Sequence, residues 1–499
     1  MDIAIHSISM EVASGCNFNC KYCYHGEITT SKNMTTEIAD KALEFFFESA
    51  KKNGLNTLRS IGFMGGEPLL NFKLIKYIVE KCKEYEKTDH ITVGNFTIIT
   101  NGSLLTDEII EYSDKNNIFI RISLDGNKDV HNFNRTSKDG TDNYNKIIKS
   151  IKKIKPSKCA IGATITHKST PDCSQKVIEP IEKIGAMNYS LGLATSLDRD
   201  IVLSMDEAIN NAKEQVSSAF ENIIKGKKIK NLVILEILAN LLSNTSKERC
   251  CGAGTYYVAI CYDGKIVPCH RSFGEKESSI GSVFNGLDNE KIQIYKNATT
   301  ETRKECKKCS IRYLCTAHCY YNSLTFFNDI NKVTPLICAH TKTLIYETYR
   351  SLFNLKRNNL ETYNKLILEI CDSFMKKDDK TNNDFIPTEK MTPLESIKKT
   401  IHLNCIFVKN TAAEVIDIDE EGILFLNSTP GNRYIANTIA MAIWDILDGT
   451  CTVREIVQEI AGLCMAEPSE IEEDIIQQLA MFKDLGFVEE VKKSVEAAI

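Results

Sequence analysis

The chain has 499 residues, of which 43% are hydrophobic and 25% are charged. This length predicts several domains, and the composition excludes an intrinsically disordered chain. The most apolar helical stretch, Asn231 to Leu242, is interrupted by Glu236 and is shorter than the roughly 20 apolar residues that span a membrane. The N-terminus begins Met1-Asp2-Ile3 and lacks the pattern of a signal peptide. We therefore expect a soluble, cytoplasmic protein that does not interact with membranes.

The net charge of −5 is unevenly distributed along the chain. Residues 401–499 contain six Lys and Arg against 18 Asp and Glu, a net charge of −12, so the other 400 residues carry +7. Because phosphate binding needs Lys and Arg, this acidic segment argues against a nucleic-acid partner. A basic peptide, or the basic remainder of the chain, would suit it better.

Nineteen cysteines are present, and 12 of them fall into three groups. In the reducing cytosol a disulfide framework is not expected, so we interpret the clustered cysteines as metal ligands. The scattered ones are interpreted as small buried hydrophobic residues. The three groups are Cys16, Cys20 and Cys23; Cys250, Cys251, Cys261 and Cys269; and Cys306, Cys309, Cys315, Cys319 and Cys338.

Strand-like and helical patterns alternate from residue 3 to about residue 195. This alternation predicts an α/β fold with a parallel sheet, open or curled into a barrel. A complete barrel of eight units needs about 250 residues, so we expect a partial barrel of six β/α units. The predicted strands are Ile3–Val12, Leu58–Met64, Phe96–Thr100, Ile118–Leu124, Cys159–Thr166 and Asn188–Leu193. The predicted helices include Thr36–Lys52, Leu74–Tyr85, Asp107–Asn116, Tyr144–Ile154 and Cys173–Ile184.

Polar motifs follow the first four predicted strands. Parallel α/β folds place their chemistry at the carboxyl ends of the strands, so we expect these motifs to meet there. The motifs are Gly15-Cys16, Gly65-Gly66-Glu67-Pro68, Thr100-Asn101-Gly102 and Ser123-Leu124-Asp125-Gly126.

The rest of the chain divides into four further regions by its sequence pattern. Residues 196–249 are mostly helical in pattern, and residues 250–345 are rich in cysteine with little regular periodicity. Residues 346–400 show helical periodicity up to Met375 and a predicted linker at Lys376–Asn383. Residues 401–499 have the pattern of a small, separate α+β domain that resembles a winged helix. Its predicted strands are Cys405–Val408, Ala413–Asp417 and Ile423–Leu426, and its predicted helices are Ile435–Leu447, Val453–Leu463 and Ile471–Leu485.

The first cysteine group can hold three irons of a [4Fe–4S] cluster and leave the fourth iron open for substrate chemistry. A zinc site is the alternative, but zinc needs four ligands, and His25 is the only nearby histidine. With Tyr22 before Cys23, this group resembles the C-x3-C-x-aromatic-C signature of radical S-adenosylmethionine (SAM) enzymes. The resemblance implies a partial barrel of that type and contacts to SAM from Tyr22, Gly65, Gly66, Glu67, Pro68, Asn101, Ser123, Asp125 and Arg135.

The later cysteines are similar to the seven-cysteine extension called SPASM, found in radical SAM enzymes that act on peptides and proteins. Cys251 is followed after 12 residues by Gly264 and after four more by Cys269. The resemblance implies two auxiliary [4Fe–4S] clusters, three clusters in all, with two zinc ribbons as the alternative. It assigns the distal cluster to Cys306, Cys309, Cys315 and Cys338. The proximal cluster takes Cys251, Cys269 and Cys319, with Cys261, Cys250 or an open iron in fourth position.

The C-terminal domain resembles the RiPP recognition element, a domain related to the peptide chaperone of pyrroloquinoline-quinone biosynthesis. RiPPs are ribosomally made, post-translationally modified peptides. The resemblance rests on Ile423–Asn427, Ala442–Gly449 and Thr452–Ile456, with Trp444 interpreted as a core residue. It implies that residues 401–499 bind the leader of a precursor peptide by adding a strand to their sheet.

Together these resemblances imply an enzyme that installs thioether links in a precursor peptide through a 5′-deoxyadenosyl radical. They also imply an electron donor such as flavodoxin or ferredoxin. Carbon–carbon cross-linking is one alternative. Formylglycine formation, as in sulfatase maturation, is another, although His270 stands where that family's pattern has an Asp. A metal-stapled binding protein without catalysis is the alternative outside enzymes.

Overall fold

The computed structural model describes residues 4–25, 31–196, 198–242, 247–307, 309, 311–315, 317, 319–375, 401–418, 421–426, 433–436 and 438–491. The predicted linker Lys376–Asn383 lies outside these residues. The chain forms two compact units, which we describe separately. The first unit comprises residues 1–236, 248–307 and 315–347, and the second comprises residues 237–247, 308–314 and 348–499.

In the part of the first unit that the structure describes there are twelve strands. They are β1 (Ser7–Ala13), β2 (Phe18–Cys20), β3 (Thr57–Gly65), β4 (Thr92–Thr100), β5 (Ile118–Ser123), β6 (Arg135–Ser137), β7 (Cys159–Ile165), β8 (Asn188–Leu193), β9 (Tyr257–Ile260), β10 (Lys265–Val267), β11 (Gly281–Ser282) and β12 (Gly286–Leu287).

Ten of these strands form one sheet in the order β12-β11-β10-β9-β1-β3-β4-β5-β7-β8. Neighbouring strands from β1 to β8 in this order pair in parallel, as predicted, with helices in the connections. Strand β9 adds to β1 in parallel, and β10 to β12 continue antiparallel. The cysteine-rich region therefore extends the sheet of the first domain. Strands β2 and β6 form a separate antiparallel pair.

Of the helices between residues 36 and 375, the first three form where the sequence predicted helices. Several begin at side-chain caps: the Thr35 hydroxyl accepts from the N–H of Ile38, and Ser204 and Glu207 form a capping box. These helices are α1 (Thr36–Lys52), α2 (Phe72–Asp89), α3 (Asp107–Lys115), α4 (Lys128–Asn134), α5 (Tyr144–Ile151), α6 (Glu179–Ile184), α7 (Met205–Ile224), α8 (Leu232–Leu242), α9 (Asn289–Asn297), α10 (Lys304–Lys307), α11 (Tyr320–Phe327), α12 (Pro335–Asn358) and α13 (Leu360–Met375).

The predicted helix Cys173–Ile184 is not continuous. A π-helical turn at Ser174–Ile178 precedes α6. The reason is Pro180, which has no N–H to continue the α-helical hydrogen-bond ladder.

The central strands bury one face more deeply than the other. In β5, Ile118, Ile120 and Ile122 lie in the hydrophobic core, while Arg121 and Ser123 alternate with them on the less buried face. Strand β7 shows the same alternation. The polar face of the parallel strands is therefore opposite the helix-covered core.

Within its described residues, the C-terminal part of the second unit has two three-stranded antiparallel sheets and three helices. Its strands are β13 (Ile406–Lys409), β14 (Ala413–Ile418), β15 (Glu421–Leu426), β16 (Arg433–Ala436), β17 (Asp448–Thr452) and β18 (Val488–Glu490). Its helices are α14 (Thr438–Ile446), α15 (Val453–Cys464) and α16 (Pro468–Asp484). One sheet has the order β17-β13-β18 and the other β14-β15-β16.

One prediction in this region was wrong. Residues 435 and 436 were expected in a helix but belong to β16, where Ile435 pairs with Ile423 of β15. Strand pairing with a distant residue outweighed the local helical pattern.

Trp444 is buried and packs edge-on against Phe482, with ring centroids 5.8 Å apart, so it is a core residue. None of the described helices is long and apolar enough to cross a membrane.

Candidate active site at the carboxyl ends of the strands

The first cysteine group lies in the loop that follows β1. Its conformation is held by the pairing of β2 with β6, in which Cys20 lies opposite Arg135, and by a hydrogen bond from the Cys23 N–H to the Cys20 carbonyl, 3.1 Å. Burial raises the pKa of Cys16 to about 11 and that of Cys20 to about 12, and the Cys23 thiol raises both pKa values further. Three mutually close thiols outside any disulfide are the donor set that three irons of a [4Fe–4S] cluster require.

The glycine pair at the end of β3 brings the backbone close to the cysteine loop. Gly65 has φ +137°, and a Cβ there would lie 2.0 Å from the Ala13 carbonyl oxygen. A Cβ at Gly66 would lie 2.3 Å from the Gly15 carbonyl oxygen, which accepts from the N–H of Glu67 at 2.8 Å. Only glycine allows this approach. Any side chain here would push the cysteine loop away from β3.

The carboxylate of Glu67 is fully buried and joins the ends of β3 and β4. It accepts hydrogen bonds from the Thr100 hydroxyl at 2.7 Å, the Asn101 N–H at 2.8 Å and the Leu69 N–H at 3.1 Å. Pro68 begins the short 3-10 turn that Glu67 caps. Since both carboxylate oxygens are occupied, the side chain of Glu67 positions this loop, and a ligand would meet the loop's backbone.

Asn101 connects this loop to the cysteines. Its Nδ2 donates to Asn17 Oδ1 at 2.9 Å and lies 3.9 Å from the Cys16 sulfur. The end of β4 thus reaches the first cysteine group through one amide side chain.

Asp125, directly after β5, is fully buried and gathers four donors. Its Oδ1 accepts from the Thr164 N–H at 2.9 Å and pairs with Arg135 Nε at 3.1 Å. Its Oδ2 accepts from the Tyr22 hydroxyl and from Asn134 Nδ2 at 3.1 Å. The guanidinium carbon of Arg135 lies 5.3 Å from the centroid of the Tyr22 ring. Asp125 therefore ties the cysteine loop to β5, β7 and β6.

These contacts bring most of the predicted SAM-binding residues together at one edge of the sheet. Ser123 stands at the end of β5, immediately before this cluster. The carboxylates of Glu67 and Asp125 accept hydrogen bonds from protein donors, so their role is to hold neighbouring residues in place. Whether each predicted residue contacts SAM stays a prediction.

A second set of buried groups lies between β1 and the cysteine-rich region, and sequence reasoning did not identify it. The Tyr257 hydroxyl donates to Ser9 Oγ at 3.0 Å and lies 2.9 Å from His270 Nδ1. Glu11 accepts from the Tyr262 N–H at 3.2 Å, and burial raises its pKa to about 7. The signal in the sequence was the alternation of Ser and Glu with apolar residues in β1, Ser7 to Val12.

The second cysteine group forms around the start of the cysteine-rich region. The sulfurs of Cys250 and Cys251 lie 3.5 Å apart. Cys269 lies close enough to Cys251 and Cys319 for each to raise its pKa, and Cys319 likewise raises that of Cys250. Arg271 Nη1 approaches the Cys319 sulfur at 3.8 Å. The four cysteines are thus near enough to one another in the first unit to interact electrostatically.

Cys261 is placed elsewhere. It is buried in an apolar cluster with Met64, Val267 and Phe273. Burial raises the pKa of its thiol, and the charges of Glu11 and Asp263 raise it further. Cys261 directly follows β9, and its N–H donates to the Lys265 carbonyl at 2.9 Å across the turn between β9 and β10. Its role as a ligand stays a prediction.

The third cysteine set is only partly placed. Cys306 lies on α10, Cys315 is buried and Cys338 lies on α12, all in the first unit, whereas Cys309 belongs to the second. Their assignment to one distal cluster stays a prediction. Among the described residues, no three His, Cys, Asp or Glu side chains converge on the position of a single metal ion.

Comparison with known proteins identifies two segments of the chain. Residues 10–181 match the family model of the Radical SAM superfamily, and residues 418–488 match that of Coenzyme PQQ synthesis protein D (PqqD).

Two curated relatives span most of the chain. The radical SAM cyclopropyl synthase TigE of Paramaledivibacter caminithermalis is 24% identical over 373 residues, covering 72% of this chain and 76% of that protein. A cysteine-type anaerobic sulfatase-maturating enzyme of Clostridium perfringens (strain 13 / Type A) is 23% identical over 340 residues, covering 62% and 86%.

A solved structure, native anSMEcpe with bound AdoMet, superimposes with a TM-score of 0.59 at 17% identity. It covers 70% of this chain and 99% of that one. At this identity the likeness is one of fold, and it confirms the predicted fold class.

Proposed function

We propose that this chain is a radical SAM enzyme, because residues 10–181 match the family model of the Radical SAM superfamily, and that it installs thioether links in a ribosomally made precursor peptide. The family implies a [4Fe–4S] cluster and SAM. We assign the cluster to Cys16, Cys20 and Cys23. These cysteines would hold a cluster that supplies the electron for reductive cleavage of SAM, and the 5′-deoxyadenosyl radical so formed would take a hydrogen atom from the substrate.

The residues around the cysteine loop then have positioning roles. Glu67 holds the ends of β3 and β4 together, and the glycines before it let the backbone approach the cysteine loop. Asp125 fixes Tyr22 and Arg135. Buried hydrogen bonds of this kind keep a site in one geometry and exclude water from it.

The observation that best supports peptide crosslinking is the second cysteine group, whose loop contacts the loop of the first cysteine group through His270 and Tyr24. We propose that Cys250, Cys251, Cys269 and Cys319 hold the proximal auxiliary cluster. We also propose that Cys306, Cys309, Cys315 and Cys338 hold a distal one. Forming a C–S bond from C–H and S–H loses one hydrogen atom to 5′-deoxyadenosine, one proton to solvent and one electron. Auxiliary clusters held by these cysteines would accept that electron and pass it to a carrier such as flavodoxin or ferredoxin.

The C-terminal domain supports a peptide substrate. The PqqD model covers residues 418–488, and β14 and β16 are the outer strands of their sheet. Outer strands have unpaired backbone groups that an extended peptide can pair with. We propose that the leader of the precursor peptide binds here, which the charge of −12 favours for a basic leader.

The test is anaerobic co-expression with each small cysteine-containing reading frame encoded nearby, followed by intact mass and thiol alkylation. Loss of two hydrogens per link together with one alkylatable thiol is the expected result. The Cys16→Ala variant is the control and leaves the peptide unchanged. Loss of hydrogens with every thiol still alkylatable refutes the thioether. No change with any peptide, although the wild-type protein cleaves SAM, refutes the choice of substrate class.

Carbon–carbon ring formation is the second candidate. It is favoured by the similarity to the cyclopropyl synthase over 72% of the chain. Formylglycine formation has relatives in the sulfatase-maturating enzymes, but here His270 replaces the Asp of that pattern. The alkylation experiment separates thioether formation from ring closure between carbons.

A further inference from the structure

Arg121 is a cation on the polar face of the sheet that the proposed mechanism does not use. It lies on β5, two residues before Ser123, so both side chains are on the same face. Its Nη2 donates to the Ser190 hydroxyl of β8. In the register of the sheet, Ser190 lies opposite Gly162 of β7, which lies opposite Ser123. The guanidinium therefore extends along the sheet from the level of Arg121 to the level of Ser123, toward the carboxyl ends of the strands.

Gly162 makes this path possible. A Cβ at Gly162 would lie 3.0 Å from Nε and 3.4 Å from Nη2 of Arg121. A side chain at this position of β7 would press against the guanidinium, so the glycine leaves room for Arg121 to cross the strand. Beyond Ser190 on the same face, a Cβ at Gly192 would meet no atom within 4 Å, and Gly192 is exposed. The polar face is thus open at Gly192, two residues beyond the serine that the guanidinium contacts.

The charge of Arg121 has no carboxylate partner within ion-pair distance among the residues that the structure describes. Burial lowers the pKa of Arg121 below its usual value, and no acidic group offsets this. A partly buried cation without a counter-charge is costly unless an anion joins it. Arg121 therefore offers a cation on the polar face of the sheet that an anion of a bound molecule can neutralise.

We propose that Arg121 binds a carboxylate of the substrate, the side chain of an Asp or Glu near the reacting residue of the peptide. This inference rests on the proposed function, because it takes the polar face as the place of the peptide. Arg121 presents a planar pair of N–H donors, which matches the two oxygens of a carboxylate. The Ser190 hydroxyl fixes the orientation of that pair. The carboxylate of SAM is the other source of the same chemistry.

The test measures binding to the full-length, cluster-loaded protein with SAM present, and it needs no turnover. The probes are N-acetylglutamate N-methylamide and its neutral counterpart, N-acetylglutamine N-methylamide, followed by saturation-transfer NMR. We expect the wild-type protein to bind the acid about tenfold more tightly than the amide. Arg121→Gln removes this preference and Arg121→Lys keeps part of it. Arg199→Gln, at an exposed position, keeps all of it.

A second variant, which leaves Arg121 itself in place, controls for the possibility that substituting Arg121 misfolds the protein. Gly162→Val places side-chain atoms against the guanidinium, so it reduces the preference for the acid without removing the charge. Equal binding of the two probes by the wild-type protein overturns the proposal. So does an unchanged preference in Arg121→Gln.

A separate titration with SAM distinguishes the two carboxylates. We expect the SAM dissociation constant of Arg121→Gln to equal that of the wild-type protein. A tenfold weaker affinity for SAM, with the probe preference intact, would assign Arg121 to SAM and overturn the substrate proposal. A wild-type protein that prefers the acid but fails to cleave SAM when reduced would refute the proposed function alone.

Discussion

Tyr24 and His270 face each other edge to face, with ring centroids 6.0 Å apart. Tyr24 directly follows Cys23, and His270 directly follows Cys269, so this contact joins the loops of the first and second cysteine groups. Burial lowers the pKa of His270 to about 3, which leaves the imidazole neutral at physiological pH. A neutral ring in contact with the Tyr257 hydroxyl is chemically unlike the aspartate expected in sulfatase maturation.

Asp125→Asn should destabilise the protein and weaken SAM binding. The substitution leaves the buried Arg135 without its counter-charge, which typically costs about 3 kcal/mol in the free energy of unfolding. Anaerobic urea unfolding and calorimetry with SAM measure the two effects. Asp129→Asn is the control, because Asp129 is exposed and close in sequence, and we expect it to change stability by less than about 0.5 kcal/mol. Equal stabilities of the two variants would contradict the role assigned to the ion pair.

Gly66→Ala should abolish SAM cleavage. The new methyl group would lie 2.3 Å from the Gly15 carbonyl oxygen, so β3 and the cysteine loop must separate. The measurement is 5′-deoxyadenosine formed by the reduced protein. The matched control is Gly462→Ala in α15, where a Cβ would meet no atom within 4 Å. It should leave cleavage intact and stabilise its helix by about 0.5–1 kcal/mol.

Cys250→Ala and Cys261→Ala should differ in iron content. If Cys250 is the fourth proximal ligand, its removal lowers the iron bound or alters the Mössbauer spectrum of one cluster. Cys261 packs among apolar side chains, so its removal should leave iron content unchanged and cost about 1 kcal/mol of stability through the cavity it leaves. Iron loss in Cys261→Ala with none in Cys250→Ala would reverse this assignment.

Glu11→Gln should stabilise the protein at high pH. Burial raises the pKa of Glu11 from 4.5 to about 7, so the folded protein holds a proton there that the unfolded chain releases. The stability contributed by this proton is present below pH 4.5 and is lost as the pH rises to 7. At pH 8 the buried carboxylate is ionised, and replacing it should increase the free energy of unfolding by roughly 3 kcal/mol. Glu86→Gln, at an exposed site, should show no such pH dependence in the same unfolding series.

Much of the fold was predictable because it depends on local patterns. Apolar periodicity located helices such as Thr36–Lys52, and strand-like apolar runs located strands such as Asn188–Leu193. The position of the first cysteine group followed from a rule of parallel sheets, since the group comes directly after a strand.

Contacts between distant residues required the tertiary structure. Sequence spacing left Cys250 and Cys261 equivalent, and only the course of β9 separated them. Asp125 and Arg135 were assigned to SAM by resemblance, while the structure shows their charges paired with each other. Residues 435 and 436 joined a strand because Ile423 lay opposite.

The sequence by itself determined the α/β alternation, the cysteine groups and the motifs at the strand ends, because each is written in neighbouring residues. The tertiary structure alone decided which polar side chains contact the buried charged groups. Tyr22 and Asp125 are 103 residues apart, and Arg121 reaches Ser190 across 69 residues. Such pairs depend on the register between strands, which sets distances that no local periodicity contains.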